Sequence, residues 1–134
     1  MATRSRIGLE LSDGSILSAY HHWDGYPEWL GRILKTHYNT REKVAELIDG
    51  GDMSSCWTDT TFNYDGTPSE YGPNYYSYRG DDCPPRHDEN KYDYIVNGEE
   101  YAYLYTLNDE WVCYTLNEDD YPTVVEIPSG ELAV

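Results

Sequence analysis

A chain of 134 residues with 25 Asp and Glu against 9 Lys and Arg, a formal net charge of −16, fits a single domain and excludes a basic nucleic-acid-binding protein. Fifteen Tyr and four Trp exclude a disordered acidic tail. The charge is uneven: residues 1–50 hold 7 acids and 6 bases, whereas residues 51–134 hold 18 acids and 3 bases.

No apolar run approaches the roughly 18 residues of a membrane span. Met1 to Arg6 precede no apolar stretch of the secretory kind. Cys56, Cys83 and Cys113 are odd in number and widely spaced, with no Cys-x-x-Cys pair. The expectation is a cytoplasmic protein in a reducing compartment, with no disulfide framework, metal site or cofactor.

Residues 6–21 read as a β-hairpin. Ile7, Leu9 and Leu11 alternate, and Asp13-Gly14 is a two-residue turn signal. That turn pairs Leu11 with Ile16, Leu9 with Ser18 and Ile7 with Tyr20. It places His22 on the core-facing side and His21 on the other. Pro27 suits a first helical turn, and Leu30, Ile33, Leu34 and His37 recur at helical spacing over 27–38. A second helix follows, capped by Asn39 with Glu42 or by Thr40 alone. Val44, Leu47 and Ile48 form its apolar stripe, and Gly50-Gly51 ends it. Residues 52–91 are a loop-rich excursion with short strands expected at Cys56–Phe62 and Tyr75–Tyr78. Beyond it, Asn97-Gly98 and Asn108-Asp109 predict a three-stranded meander. One face of that meander carries Tyr92, Tyr94, Tyr101, Tyr103, Tyr105 and Tyr114; the other carries Ile95, Ala102, Leu104, Trp111 and Cys113. Thr123–Ile127 is a further strand. The fold class is α+β: a single domain over 1–134, built on an antiparallel sheet with two consecutive helices.

The string His22-Trp23-Asp24-Gly25-Tyr26-Pro27 is the rarest in the chain. With Thr3-Arg4-Ser5, Ile7, Asp13-Gly14, Tyr20, Gly31, Leu34, His37-Tyr38, Gly51-Asp52 and Ser54-Ser55, it resembles a family of small, largely uncharacterised tailed-phage and prophage proteins. Tyr101, Tyr103-Leu104-Tyr105 and Glu110-Trp111-Val112 resemble it as well. The resemblance implies a phage-type origin and a place inside the host cell. It implies no activity, cofactor or catalytic residue.

Three functional readings follow. The first rests on the acids gathered on turns and edges: Asp81, Asp82, Asp88, Glu89, Asp93, Glu99, Glu100, Asp109, Glu110, Glu118, Asp119 and Asp120. Carboxylates on a stiff scaffold imitate a nucleic-acid backbone and attract a Lys/Arg-lined channel. The partner is then a basic host protein of the nucleic-acid-binding kind, inhibited in the manner of an anti-CRISPR or anti-restriction protein. Direct binding of nucleic acid is excluded, because phosphate is repelled, and no membrane is involved. The second reading is a small-molecule pocket built from His22, Trp23, Asp24 and Tyr26. The third is an enzyme using His21 or His22 with Asp24 as base and orienting carboxylate. It requires an exposed histidine within reach of a carboxylate. The bland alternative for the string is a packed strand–helix corner. The chain has no Gly-x-Ser-x-Gly, phosphate loop or His-Glu-x-x-His, and Cys83 lies beside acids that raise a thiol pKa.

Overall fold

The computed structural model describes residues 3–56, 64–65, 72–96 and 98–128. It contains strands β1 (Ser5–Glu10) and β2 (Ile16–His21), then a π-helical turn at Pro27–Gly31 that runs into α1 (Arg32–His37). Helix α2 (Arg41–Asp49), a 3₁₀ turn (Tyr76–Arg79), β3 (Arg86–Asp88), α3 (Lys91–Val96), β4 (Tyr101–Tyr105), β5 (Trp111–Leu116) and β6 (Pro122–Val125) follow. The strands form one sheet in the order β3-β2-β1-β4-β5-β6. All neighbours are antiparallel except β1 and β4, the parallel pair at its centre. The N-terminal hairpin and the C-terminal strands are thus two units joined edge to edge within an α+β fold.

Both hairpin registers differ from the expected ones by one residue. Leu9 faces Leu17 and Ile7 faces Ala19; Tyr105 faces Trp111 and Tyr103 faces Cys113. The cause is the turn. In the first hairpin the Gly14 N–H donates to the Leu11 carbonyl (2.9 Å) and the Leu11 N–H to Ser15 (2.8 Å). This is a three-residue loop whose last residue is left-handed, with Gly14 at φ 87°. The same loop recurs at 106–110, with Asp109 at φ 59°, and at 117–121, with Asp120 at φ 61°. The loops at 11–15 and 106–110 each add one residue to the two-residue loop expected there, and one residue flips every side chain of the returning strand.

The sheet is covered on both faces. Ile7, Leu9, Ala19, Tyr103, Tyr105 and Cys113 meet Leu30, Leu34, Val44, Leu47 and Ile48 of the two N-terminal helical segments. Thr40 alone caps α2, accepting the Lys43 N–H at 3.2 Å. On the other face Ile16, Ala102 and Leu104 pack against Tyr94 and Ile95.

That second layer corrects the expected meander. Residues 91–96 are a helix, not a strand. Asn90 Oδ1 accepts the Asp93 N–H at 2.8 Å, supplying a side-chain cap. Tyr94 and Ile95 bury one side, while Tyr92 is exposed. The Tyr94 hydroxyl donates to the Tyr103 carbonyl at 2.5 Å. Its ring lies so close to Gly8 that a Cβ there would stand 2.7 Å from Tyr94 Cζ, so this approach requires glycine. The single tyrosine face therefore does not exist. Tyr101, Tyr103 and Tyr105 share a face with Trp111 and Cys113, while Tyr114 lies on the opposite one.

Within the excursion, the expected loop at 86–88 is the edge strand β3, paired with β2. Tyr75 forms an isolated bridge to Met53 and is followed by the 3₁₀ turn rather than a strand. The strand expected at Cys56–Phe62 lies outside the described residues from 57 onward.

Candidate functional site: the two ends of the sheet

The strand directions give the sheet a lower end, where β1 and β4 begin, and an upper end, where they finish. The His21–Pro27 string leaves β2 at the lower end. The register places His21 and Ser5 side by side across β1 and β2, with Tyr101 next in the row. His21 is therefore the inward histidine, fully buried, and His22 is the half-buried one. This reverses the expected facing and follows directly from the turn at Gly14.

Both ring nitrogens of His21 and the Ser5 hydroxyl lack a hydrogen-bond partner among the described residues. Burial, with a smaller contribution from His22, holds the His21 pKa down at about 3, so the ring is neutral in the fold. His22 Nδ1 lies 2.7 Å from the Tyr20 hydroxyl. The Trp23 ring meets His22 edge-on at 4.6 Å and is 47 % exposed. Trp23 is thus not packed into the corner. Asp24 is exposed and carries a left-handed φ of 55°. No side-chain hydrogen bond or ring contact joins Asp24 or Tyr26 to this row among the described residues. The catalytic reading needs a histidine–carboxylate contact. His21 is instead sealed, and His22 is held by a phenol. Among the described residues no group of three His, Cys, Asp or Glu side chains could hold a metal ion.

The acids separate into groups. Glu99 and Glu100 precede β4 at the lower end. Glu118, Asp119 and Asp120 form the β5–β6 turn at the same end. Thr115 Oγ1 donates to the Glu100 carbonyl at 2.8 Å, joining the two segments. Asn117 Oδ1 clamps the turn, accepting the N–H groups of Asp119 (2.9 Å) and Tyr121 (3.0 Å). All five residues are exposed, and none has an ion-pair partner among the described residues. Asp81 and Asp82 lie in the segment leading into β3. There Cys83, half-buried, has its pKa raised by burial first and then by Asp52, Asp81 and Asp82. Asp88 ends β3, Glu89 lies in the β3–α3 connection and Asp93 is in the first turn of α3. Asp88 is engaged by Arg86 at 3.0 Å, and Asp93 accepts from Asn90 Nδ2 at 3.2 Å.

The upper end holds residues that the sequence did not bring together. Arg41 donates to the carbonyls of Glu10 (3.0 Å) and Thr106 (3.2 Å). Its guanidinium lies 5.8 Å from the centre of the Tyr105 ring and 3.8 Å from Asp109. Beside it a groove of about 440 Å³ is lined by Lys35, Asn39, Tyr105, Asp109, Glu110 and Trp111. The Trp111 indole donates to the Tyr38 carbonyl at 2.8 Å, which fixes the ring. A basic residue following the cap of α2 was the only signal for Arg41, and it says nothing of a contact 65 residues away.

No family model, curated protein or solved structure matches the chain. No helix among the described residues is long and apolar enough to cross a membrane.

Proposed function

We propose that this chain is an acidic interaction protein that binds a basic, nucleic-acid-binding protein and competes with nucleic acid for it. The observation that carries the reading is the lower end: five exposed carboxylates, from Glu99 to Asp120, without cation partners among the described residues. They stand on a hydrogen-bonded turn and on the segment tied to it. The backbone of these segments is fixed, so less freedom is lost when a partner docks. Their unbalanced field speeds encounter with a Lys/Arg-lined surface and repels nucleic acid itself.

The phage resemblance of residues 3–55 supports a host protein as the partner, met in the cytoplasm, and inhibition of the anti-restriction or anti-CRISPR kind as the outcome. The test is capture from bacterial lysate with the immobilised chain, followed by release with duplex DNA. The captured protein is expected to leave the chain as DNA is added. The same capture should fail when Glu99, Glu100, Glu118, Asp119 and Asp120 are reversed to lysine. Full capture by the reversed chain, or a partner indifferent to DNA, overturns the reading.

A further inference from the structure

At the upper end Tyr105, Asp109, Glu110 and Trp111 line one groove, and among the described residues a cation is held at Tyr105 and Asp109 alone. Tyr105 and Asp109 share the guanidinium of Arg41, at 5.8 Å from the ring centre and 3.8 Å from the carboxylate. Trp111, the cross-strand neighbour of Tyr105, and Glu110, which precedes β5, line the same groove. The two rings meet edge to face at 5.3 Å. Glu110 has no ion-pair partner among the described residues, and no described cation lies over Trp111. Lys35 also lines the groove, and its ammonium donates to the Ile127 carbonyl at 3.4 Å. The chain's own arginine thus shows how this rim accepts a guanidinium, and the neighbouring pair is left open.

We propose that the groove between Tyr105 and Trp111 receives one arginine side chain of a protein partner, stacked on Trp111 and paired with Glu110. A guanidinium suits the site better than an ammonium. It is planar, stacks on aromatic faces and is weakly hydrated. Trp111 is already fixed by its bond to Tyr38, so binding immobilises little of the host side. The inference takes from the proposed function only the sign of the partner's charge, and it concerns the opposite end of the sheet from the five lower carboxylates.

The probe is acetyl-Gly-Arg-Gly-amide, titrated into the full ¹⁵N-labelled chain while the four indole N–H signals are followed. The citrulline and lysine analogues serve as controls. The Trp111 signal is expected to move saturably with the arginine peptide and less with lysine. With citrulline it should stay still. Glu110→Gln, at an exposed position, should weaken the arginine effect about threefold or more. No movement, equal movement with citrulline, or indifference to Glu110→Gln overturns the proposal. Neutralising Glu99, Glu100, Glu118, Asp119 and Asp120 should leave the Trp111 response in place. A neutralised chain that still captures the partner and keeps that response refutes the lower-end reading alone. An unaltered chain that captures its partner with Trp111 silent refutes the groove alone.

Discussion

The two ends of the sheet treat charge in opposite ways. At the upper end Arg41 is tied to two carbonyls, an aromatic ring and Asp109. Acid and base there are partly matched around a groove with fixed walls. At the lower end Glu99, Glu100, Glu118, Asp119 and Asp120 have no such partner among the described residues. Net charge alone does not distinguish these cases. A matched end serves local selectivity, whereas an unmatched end serves long-range attraction.

The largest expected effect separates the two ends directly. Changing the five lower acids to Gln or Asn should weaken partner binding on the order of 100-fold at low salt, through the association rate above all. Changing Asp13 and Glu42 at the upper end should alter it far less. Surface plasmon resonance with the captured partner measures both.

Next in size is an effect of the lower end on stability. His21 is neutral in the fold with a pKa of about 3, against an ordinary value of 6.5. Above pH 6.5 folded and unfolded chains are both neutral at this site. As the pH falls below that, the unfolded chain takes up the proton first, so stability drops. The loss between pH 7 and pH 5 is about 2 kcal/mol. Urea denaturation at the two pH values should show it, and His21→Phe should flatten it. An unchanged slope in that variant would place the acid sensitivity elsewhere.

A smaller effect tests α3, which runs from the upper towards the lower end across the second face of the sheet. Tyr94→Phe removes the hydroxyl that donates to the Tyr103 carbonyl and should cost about 1 kcal/mol of unfolding free energy. If Tyr94 stood in a meander strand instead, the loss would be close to nil. The smallest effect concerns the turns. Gly14→Ala forces a side chain into φ 87° and should cost at most about 1 kcal/mol, read from the urea midpoint.

The fold class was legible because apolar spacing marks strands and helices over 6–21, 27–49 and 101–116. The register was not. Asp13-Gly14 and Asn108-Asp109 look like two-residue turns, yet each is the tail of a three-residue loop closed by a left-handed residue. That difference turned His21 inward and divided the tyrosines between two faces. Residues 91–96 look like a strand because Tyr92 and Tyr94 alternate. The signal that decides otherwise is Asn90, whose side chain caps the helix, together with the glycine at position 8 that admits the Tyr94 ring. The acidic residues were visible in the sequence, but their division between the ends depends on strand direction. The central β1–β4 pairing is parallel and joins segments nearly a hundred residues apart, so no local pattern announces it. The Arg41 groove was hidden for the same reason.

The proposed competition puts the lower carboxylates where nucleic-acid phosphates would sit on a basic partner. Its most direct measurement is the affinity for the captured partner across a salt series, for the native chain and for the five-acid variant. A steep fall of affinity with salt is expected for the native chain, and a clearly shallower slope for the variant. Binding that persists undiminished from low to high salt, or one slope shared by both chains, would contradict it.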